Sequence, residues 1–141
     1  MFMGEYNHTI DSKGRLIVPS KFREQLGDHF VVTLGLDGCL FVYSTEEWEK
    51  FDEKLKNLPL TNVNARKFSR FFLGGAIDCD VDRQGRILLT AKLREAAHLS
   101  KDVVLVGVGS RIEIWDKELW VASSTYEDAG EIASQMEGLG I

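Results

Sequence analysis

Two short stretches hold the side chains best placed to do chemistry: Asp11-Ser-Lys-Gly-Arg15 and Asp82-Arg-Gln-Gly-Arg86. In each, a carboxylate stands four residues before a guanidinium, and a glycine immediately precedes the arginine. Asp and Gly are turn formers, because Asp can bond its own backbone and Gly accepts positive φ. Such a turn presents long cations from a rigid base, and its glycine lets the backbone come close to a partner. Arginine is the side chain best matched to phosphate and to the O6/N7 edge of guanine. The candidate residues for contact with a phosphate-bearing or guanine-bearing anion are therefore Lys13, Arg15, Arg83 and Arg86. Arg15 and Arg86 are assigned to base-edge or groove contact. Lys13 and Arg83 are assigned to phosphate contact, which positions without specifying. Asp11, Gly14, Asp82 and Gly85 are assigned to shaping the turns. The plain alternative for one such turn is a solvated hairpin tip whose Asp and Arg pair with each other. The recurrence of the turn weighs against it.

The net charge of −5 argues against an anionic partner only if charge is spread evenly, and it is not. Asp11 to Arg23 carries four cations against one acid, as does Asp82 to Arg94, so each stretch stands at +3. Residues 24–60 stand at −5 and residues 113–141 at −6. Fields act within about a Debye length, ~8–10 Å in salt. Two basic islands on an acidic body can therefore bind an anion that the whole chain would repel. Lys21, Arg23, Lys92 and Arg94 recur on the segments after the turns. They read equally well as phosphate supports or as the wet face of a helix.

Other chemistry is not indicated. His8, His29 and His98 do not recur between the two stretches, and no Ser-His-Asp or paired-carboxylate pattern is present. Cys39 and Cys79 lack a Cys-x-x-Cys partner or a histidine at ligand spacing, and read as buried thiols. Gly107-x-Gly109 lacks the remainder of a dinucleotide loop and reads as a hairpin turn. No catalytic residue, metal site, cofactor or small-molecule substrate is assigned. No run of about 18 apolar residues appears, so no membrane helix is expected. The N-terminal residues lack the order of a signal peptide, and a cytoplasmic location is expected.

The two turns belong to a longer duplication. At an offset of 71, Lys21, Arg23 and Glu24 match Lys92, Arg94 and Glu95. One inserted residue near His98 shifts the offset to 72, where Val31-Val32, Gly35, Glu46 and Trp48 match Val103-Val104, Gly107, Glu118 and Trp120. In each copy a strand leads into the turn, with Tyr6, His8 and Ile10 on one side in the first, and a return strand follows. Next comes a short helix, with Pro19 at its first position and Gly27 past its end in copy one, and Thr90 leading it in copy two. A hairpin closes each unit: Phe30–Leu34 with Cys39–Tyr43, then Val103–Val106 with Ile112–Trp115. Ser44 and Glu47 predict a capping box for a helix carrying Trp48, Phe51, Leu55 and Leu58 up to Pro59. Asp116 is the equivalent cap in copy two. Trp48 and Trp120 read as helix anchors. Another helix is expected over Thr61–Leu73, broken at Gly74-Gly75, and the acidic residues from Ser123 read as a loosely attached helix.

One such unit is too small to bury a core. The fold expected is mainly β with short helices: one pseudo-twofold barrel built by both halves. The boundaries are 5–47 for the first repeat, 48–75 for a helical linker, 76–119 for the second repeat and 120–141 for the tail.

The stretch from Tyr6 to Arg23 resembles the start of the MraZ family. Asp82, Gly85, Arg86, Leu89 and Thr90 with the hairpin after them resemble its second half, so the likeness extends to about residue 122. That family belongs to the AbrB-like transcription factors with swapped-hairpin barrels. The resemblance implies a DNA-binding repressor acting on short G-rich direct repeats in the promoter of the division and cell-wall gene cluster, its own gene included. It also implies a ring-shaped homo-oligomer associated with the nucleoid. The family's motif Asp and Arg fall on Asp11 and Arg15, and on Asp82 and Arg86. The second and third motif positions differ, Ser12-Lys13 against Arg83-Gln84, so unequal DNA contacts are expected from the two halves. The alternative from a different class is an antitoxin-like protein-interaction module on the same scaffold, using the acidic tail.

Overall fold

Short runs of apolar and β-branched residues make strands here, buried at consecutive positions in the centre of the sheet, and turn residues and caps divide them. In the computed structural model, which describes residues 1–141, the first repeat runs β1 (Phe2–Thr9), β2 (Arg15–Ile17), α1 (Ser20–Leu26), β3 (His29–Leu34) and β4 (Leu40–Ser44). Helices α2 (Thr45–Lys56) and α3 (Val63–Gly74) follow. The second repeat runs β5 (Ile77–Asp80), β6 (Arg86–Leu88), α4 (Ala91–Ala96), β7 (Asp102–Gly109) and β8 (Ile112–Asp116), then α5 (Lys117–Ser123) and α6 (Ala129–Gln135).

Six antiparallel strands form one sheet in the order β1-β7-β8-β4-β3-β5, and β2 and β6 form a separate two-stranded ribbon. Four of the six strand pairings join one repeat to the other: β1 with β7, β5 with β3, β4 with β8, and β2 with β6. Neither repeat holds its own sheet, so the two halves fold as a single body. The sheet is open in its hydrogen bonding, with β1 and β5 at its edges, in place of the closed barrel expected. The ribbon is the layer that covers it. A 20-residue core joins Leu16 and Ile87 of the ribbon, Phe22 and Leu93 of α1 and α4, and the sheet residues Phe30, Val32, Leu40, Leu105, Ile112 and Ile114. A second core on the other face gathers Phe41, Tyr43, Leu55, Phe72, Val104 and Trp115 under α2 and α3. Thr33 Oγ donates to Phe72 O at 2.6 Å and ties α3 to the sheet.

Local chemistry sets the helix ends. Ser44 Oγ accepts from Glu47 N–H, Asn62 from Ala65, Thr90 from Leu93 and Asp116 from Leu119. Only half of the expected capping box forms, because the Glu47 carboxylate is taken by Lys50 Nζ at 3.3 Å. Helix α2 ends at Lys56, short of the expected Pro59, since a proline drives the residue before it out of helical geometry. Pro19 is the cap of α1 and not its first residue; its carbonyl accepts from Arg23 N–H while its own ψ of 137° stays extended. Gly27 closes α1 at φ +78°. Of the Gly107-x-Gly109 pair expected in a hairpin turn, Gly109 stands at the β7–β8 turn with φ +78°, whereas Gly107 lies inside β7. A Cβ there would stand 2.3 Å from Met3 N, so the glycine is needed where β1 crosses close by.

Trp48 and Trp120 anchor their helices as expected. Trp48 lies 5.8 Å from the Tyr43 ring and Trp120 lies 5.6 Å from Trp115. Cys39 and Cys79 are buried and free, and burial pushes both thiols up to about 12. No helix is long and apolar enough to cross a membrane.

Candidate nucleic-acid interface

Both turns form in the same way. Asp11 Oδ1 accepts from the Lys13 and Arg15 backbone N–H groups at 2.9 Å, and its Oδ2 accepts from Arg15 Nε at 2.6 Å. Asp82 does likewise, from Gln84 and Arg86 N–H at 2.9 Å and from Arg86 Nε at 2.8 Å. Gly14 and Gly85 take φ of +84° and +78°, so the left-handed corner of each turn falls on glycine. The Arg15 N–H, the Arg15 guanidinium and the Lys13 N–H hold the Asp11 carboxyl down to about 2. Asp82 is lowered by the equivalent Arg86 and Gln84 groups. Both carboxylates therefore shape their turns, and they fix one edge of each arginine. No hydrogen bond within the chain engages the terminal Nη groups of Arg15 or Arg86.

The ribbon brings the two turns into one site. Leu16 pairs with Ile87 at its centre, and both side chains point into the core at 0% and 1% exposure. Arg15 lies opposite Leu88, and Ile17 opposite Arg86. Period-two alternation then puts Arg15, Ile17, Arg86 and Leu88 on the outer face. The arginines occupy one diagonal of that face and the aliphatics the other. Lys13 and Arg83 are exposed in the turns, one at each end of the ribbon. The structure thus gathers Lys13, Arg15, Arg83 and Arg86 along one ribbon, with a residual asymmetry because the two turn cations stand one motif position apart.

Each turn is also braced by the opposite repeat. Gly14 O accepts from Leu89 N–H, and Gly85 O from Val18 N–H, both at 2.9 Å. Arg23 Nε donates to Val18 O at 2.9 Å, and Arg94 Nε to Leu89 O at 3.1 Å. Their guanidinium groups lie against Gly85 and Gly14 respectively. Arg23 and Arg94, which the sequence left open between two roles, are therefore supports of the ribbon. Lys21 and Lys92 are solvated beside them. The motif reading passed over Ile17 and Leu88 on the outer face. Counting by twos from Arg15 and from Arg86 marks both.

Comparison with known proteins gives this geometry a family. The family described as "MraZ protein, putative antitoxin-like" matches the chain in two stretches, residues 1–71 and 72–137. The chain is 62% identical over 141 residues to the transcriptional regulator MraZ of Lachnoclostridium phytofermentans, covering 100% of this chain and 99% of that protein. It is 57% identical over 143 residues to the transcriptional regulator MraZ of a Thermoanaerobacter species, with both chains covered in full. It is also 57% identical over 136 residues to that of Heliobacterium modesticaldum, covering 93% and 95% of the two chains. The doubled match agrees with a duplicated unit whose strands pair across the repeats. The chain belongs to the MraZ family of transcriptional regulators.

Proposed function

We propose that the protein is a sequence-specific DNA-binding transcriptional regulator that reads the major groove with the outer face of the β2–β6 ribbon. One observation carries the proposal: Arg15 and Arg86 share that face, with Nε held and Nη unengaged. A two-stranded ribbon fits the major groove, which is about 12 Å wide. Asp11 and Asp82 restrict the approach of each guanidinium, so less freedom is lost when it meets a guanine edge. Lys13 and Arg83 meet phosphates at the two ends.

One ribbon offers four cations, which gives modest affinity. Copies arranged in a ring present several ribbons to promoter DNA with direct repeats, and each further contact gains from effective concentration. In this reading the cross-repeat pairings are the single-chain form of the swapped hairpin. The protein acts at the nucleoid, repressing the division and cell-wall gene cluster and its own gene.

The test is a gel shift of the purified full chain on the DNA upstream of its own gene, beside Arg15→Ala and Arg86→Ala, with oligomer size measured in parallel. Both variants are expected to keep the wild-type size and lose the shift; wild-type affinity in both would end the proposal. The antitoxin-like reading draws on α6, none of whose residues is buried. A stoichiometric protein partner that is lost on deleting residues 124–141 would favour it.

A further inference from the structure

We propose that Ile17 and Leu88 are specificity-determining residues of the ribbon, each packing against the C5-methyl group of a thymine in the major groove. The inference rests on the DNA reading of the ribbon and adds to it a second kind of base contact. Ile17 is 43% exposed and Leu88 is 59% exposed, although the residues on either side of each, Leu16 with Val18 and Ile87 with Leu89, are buried aliphatics. A single exposed aliphatic requires no explanation. These two are different because they hold the same position in the two repeats, 71 residues apart, and face the same way. Each stands directly across the ribbon from an arginine, Ile17 from Arg86 and Leu88 from Arg15.

That arrangement selects the occupant. An apolar partner surface would have to desolvate the two arginines beside it, which is costly without an anionic or acceptor-rich partner. The major-groove edge of DNA supplies both needs at the required spacing. Guanine offers the O6/N7 acceptor pair to arginine, and thymine offers the only methyl group in the groove. The four side chains mark a patch of about 7 Å along the strands and about 5 Å across them. At about 3.4 Å per base step this spans roughly two steps. Thymine and guanine are therefore expected next to each other within each protomer's element. Ile17 is branched at Cβ and Leu88 at Cγ, so the two ends should tolerate a shifted methyl group differently.

Deoxyuridine separates this contact from every other, because it differs from thymidine only by the missing methyl. The full chain is titrated by fluorescence anisotropy against duplexes of its own upstream DNA in which thymines are replaced one at a time. The wild type is expected to bind about fourfold more weakly when one or two particular thymines of each bound repeat are replaced. That factor is the ~0.8 kcal/mol of one buried carbon, converted at 1.4 kcal/mol per tenfold. Ile17→Ser and Leu88→Ser should each bind thymine DNA more weakly and lose the sensitivity at one of those positions, with circular dichroism melting unchanged. Equal affinity of the wild type for thymine and uracil DNA at every position would overturn the inference while leaving the DNA reading intact. Failure of the wild type to bind the upstream DNA at low salt would overturn both. A smaller oligomer for the serine variants, together with an absence of uracil sensitivity in the wild type, would assign the patch to a protein contact and overturn the inference.

Discussion

A Cβ added to Gly85 would stand 2.8 Å from Cζ of Arg23, so the second repeat's turn and the first repeat's helix meet with no space for a methyl group. The pseudo-equivalent contact sets Gly14 against Arg94 at 3.2 Å and against Leu89 O at 3.0 Å. Both glycines also hold positive φ. Gly14→Ala and Gly85→Ala are therefore expected to destabilise the fold by about 1–3 kcal/mol each, the usual cost of a left-handed non-glycine residue. Gly14→Ala should be the worse of the two, since a backbone carbonyl yields less readily than a guanidinium. Urea midpoints compare them, and equal stability to wild type in both would show that the turns are not held as described.

Arg23 and Arg94 lead to a second expectation. Each closes a hydrogen bond to a carbonyl just before its own helix and covers the other repeat's turn. Arg23→Ala or Arg94→Ala should cost about 1–2 kcal/mol, the net worth of a charge-assisted hydrogen bond and some packing. Lys21→Ala and Lys92→Ala should stay within about 0.5 kcal/mol of wild type, as surface substitutions do. Thermal melts of the four variants decide it: a loss that follows the lysines and not the arginines would reverse the assignment.

These two cases mark how far the sequence could be read. The Asp-x-x-Gly-Arg turns, the caps at Ser44, Thr90 and Asp116, and the end of α1 at Gly27 are local, and each follows from the chemistry of a few adjacent residues. The duplication was visible because it preserves order over both halves. Which strand pairs with which is non-local: β1 with β7 and β5 with β3 depend on closure between distant segments, and no short pattern encodes them. The site divided in the same way. Lys13, Arg15, Arg83 and Arg86 were legible as cations on turns. The role of Arg23 was not, because Gly85 becomes its neighbour only after β2 pairs with β6. Gly107 misled for a related reason: it reads as turn chemistry, and its cause is a strand from the other repeat.

Acid should loosen the turns. Asp11 titrates at about 2 in the folded chain against an ordinary 3.8, and Asp82 is lowered in the same direction. A depressed folded value means that these carboxylates stabilise the protein above 3.8 and that the contribution is lost as pH falls toward about 2. His29, raised above 6.5 by its hydrogen bond to Asp80 and the nearby Asp78, titrates outside that window. Urea unfolding at about pH 5 and about pH 3 should show the fall in wild type. The double variant Asp11→Asn, Asp82→Asn should show a shallower one. An unchanged pH slope in the double variant would place the acid sensitivity elsewhere.

The ribbon should separate affinity from specificity at the level of single residues. Lys13 and Arg83 stand at its ends in exposed turns, where a phosphate is the expected neighbour, and a phosphate contact is blind to sequence. Removing either should weaken binding to matched and mismatched DNA alike and make the slope of log K against log salt shallower by about 1 for each protomer engaged. Arg15 and Arg86 lie on the outer face with their terminal groups unengaged. Replacing either with alanine should cost about 1–3 kcal/mol for each protomer engaged on the matched site and little on a mismatched one, which relaxes preference at one base of each repeat. The two turns are not equivalent, because Lys13 follows Ser12 whereas Arg83 precedes Gln84. Lys13→Ala and Arg83→Ala should therefore shift the footprint edge at opposite ends and by unequal amounts. Salt titrations of the four alanine variants on matched and scrambled duplexes provide the check. If Lys13→Ala changed the preference between those duplexes, the division between ends and face would be wrong.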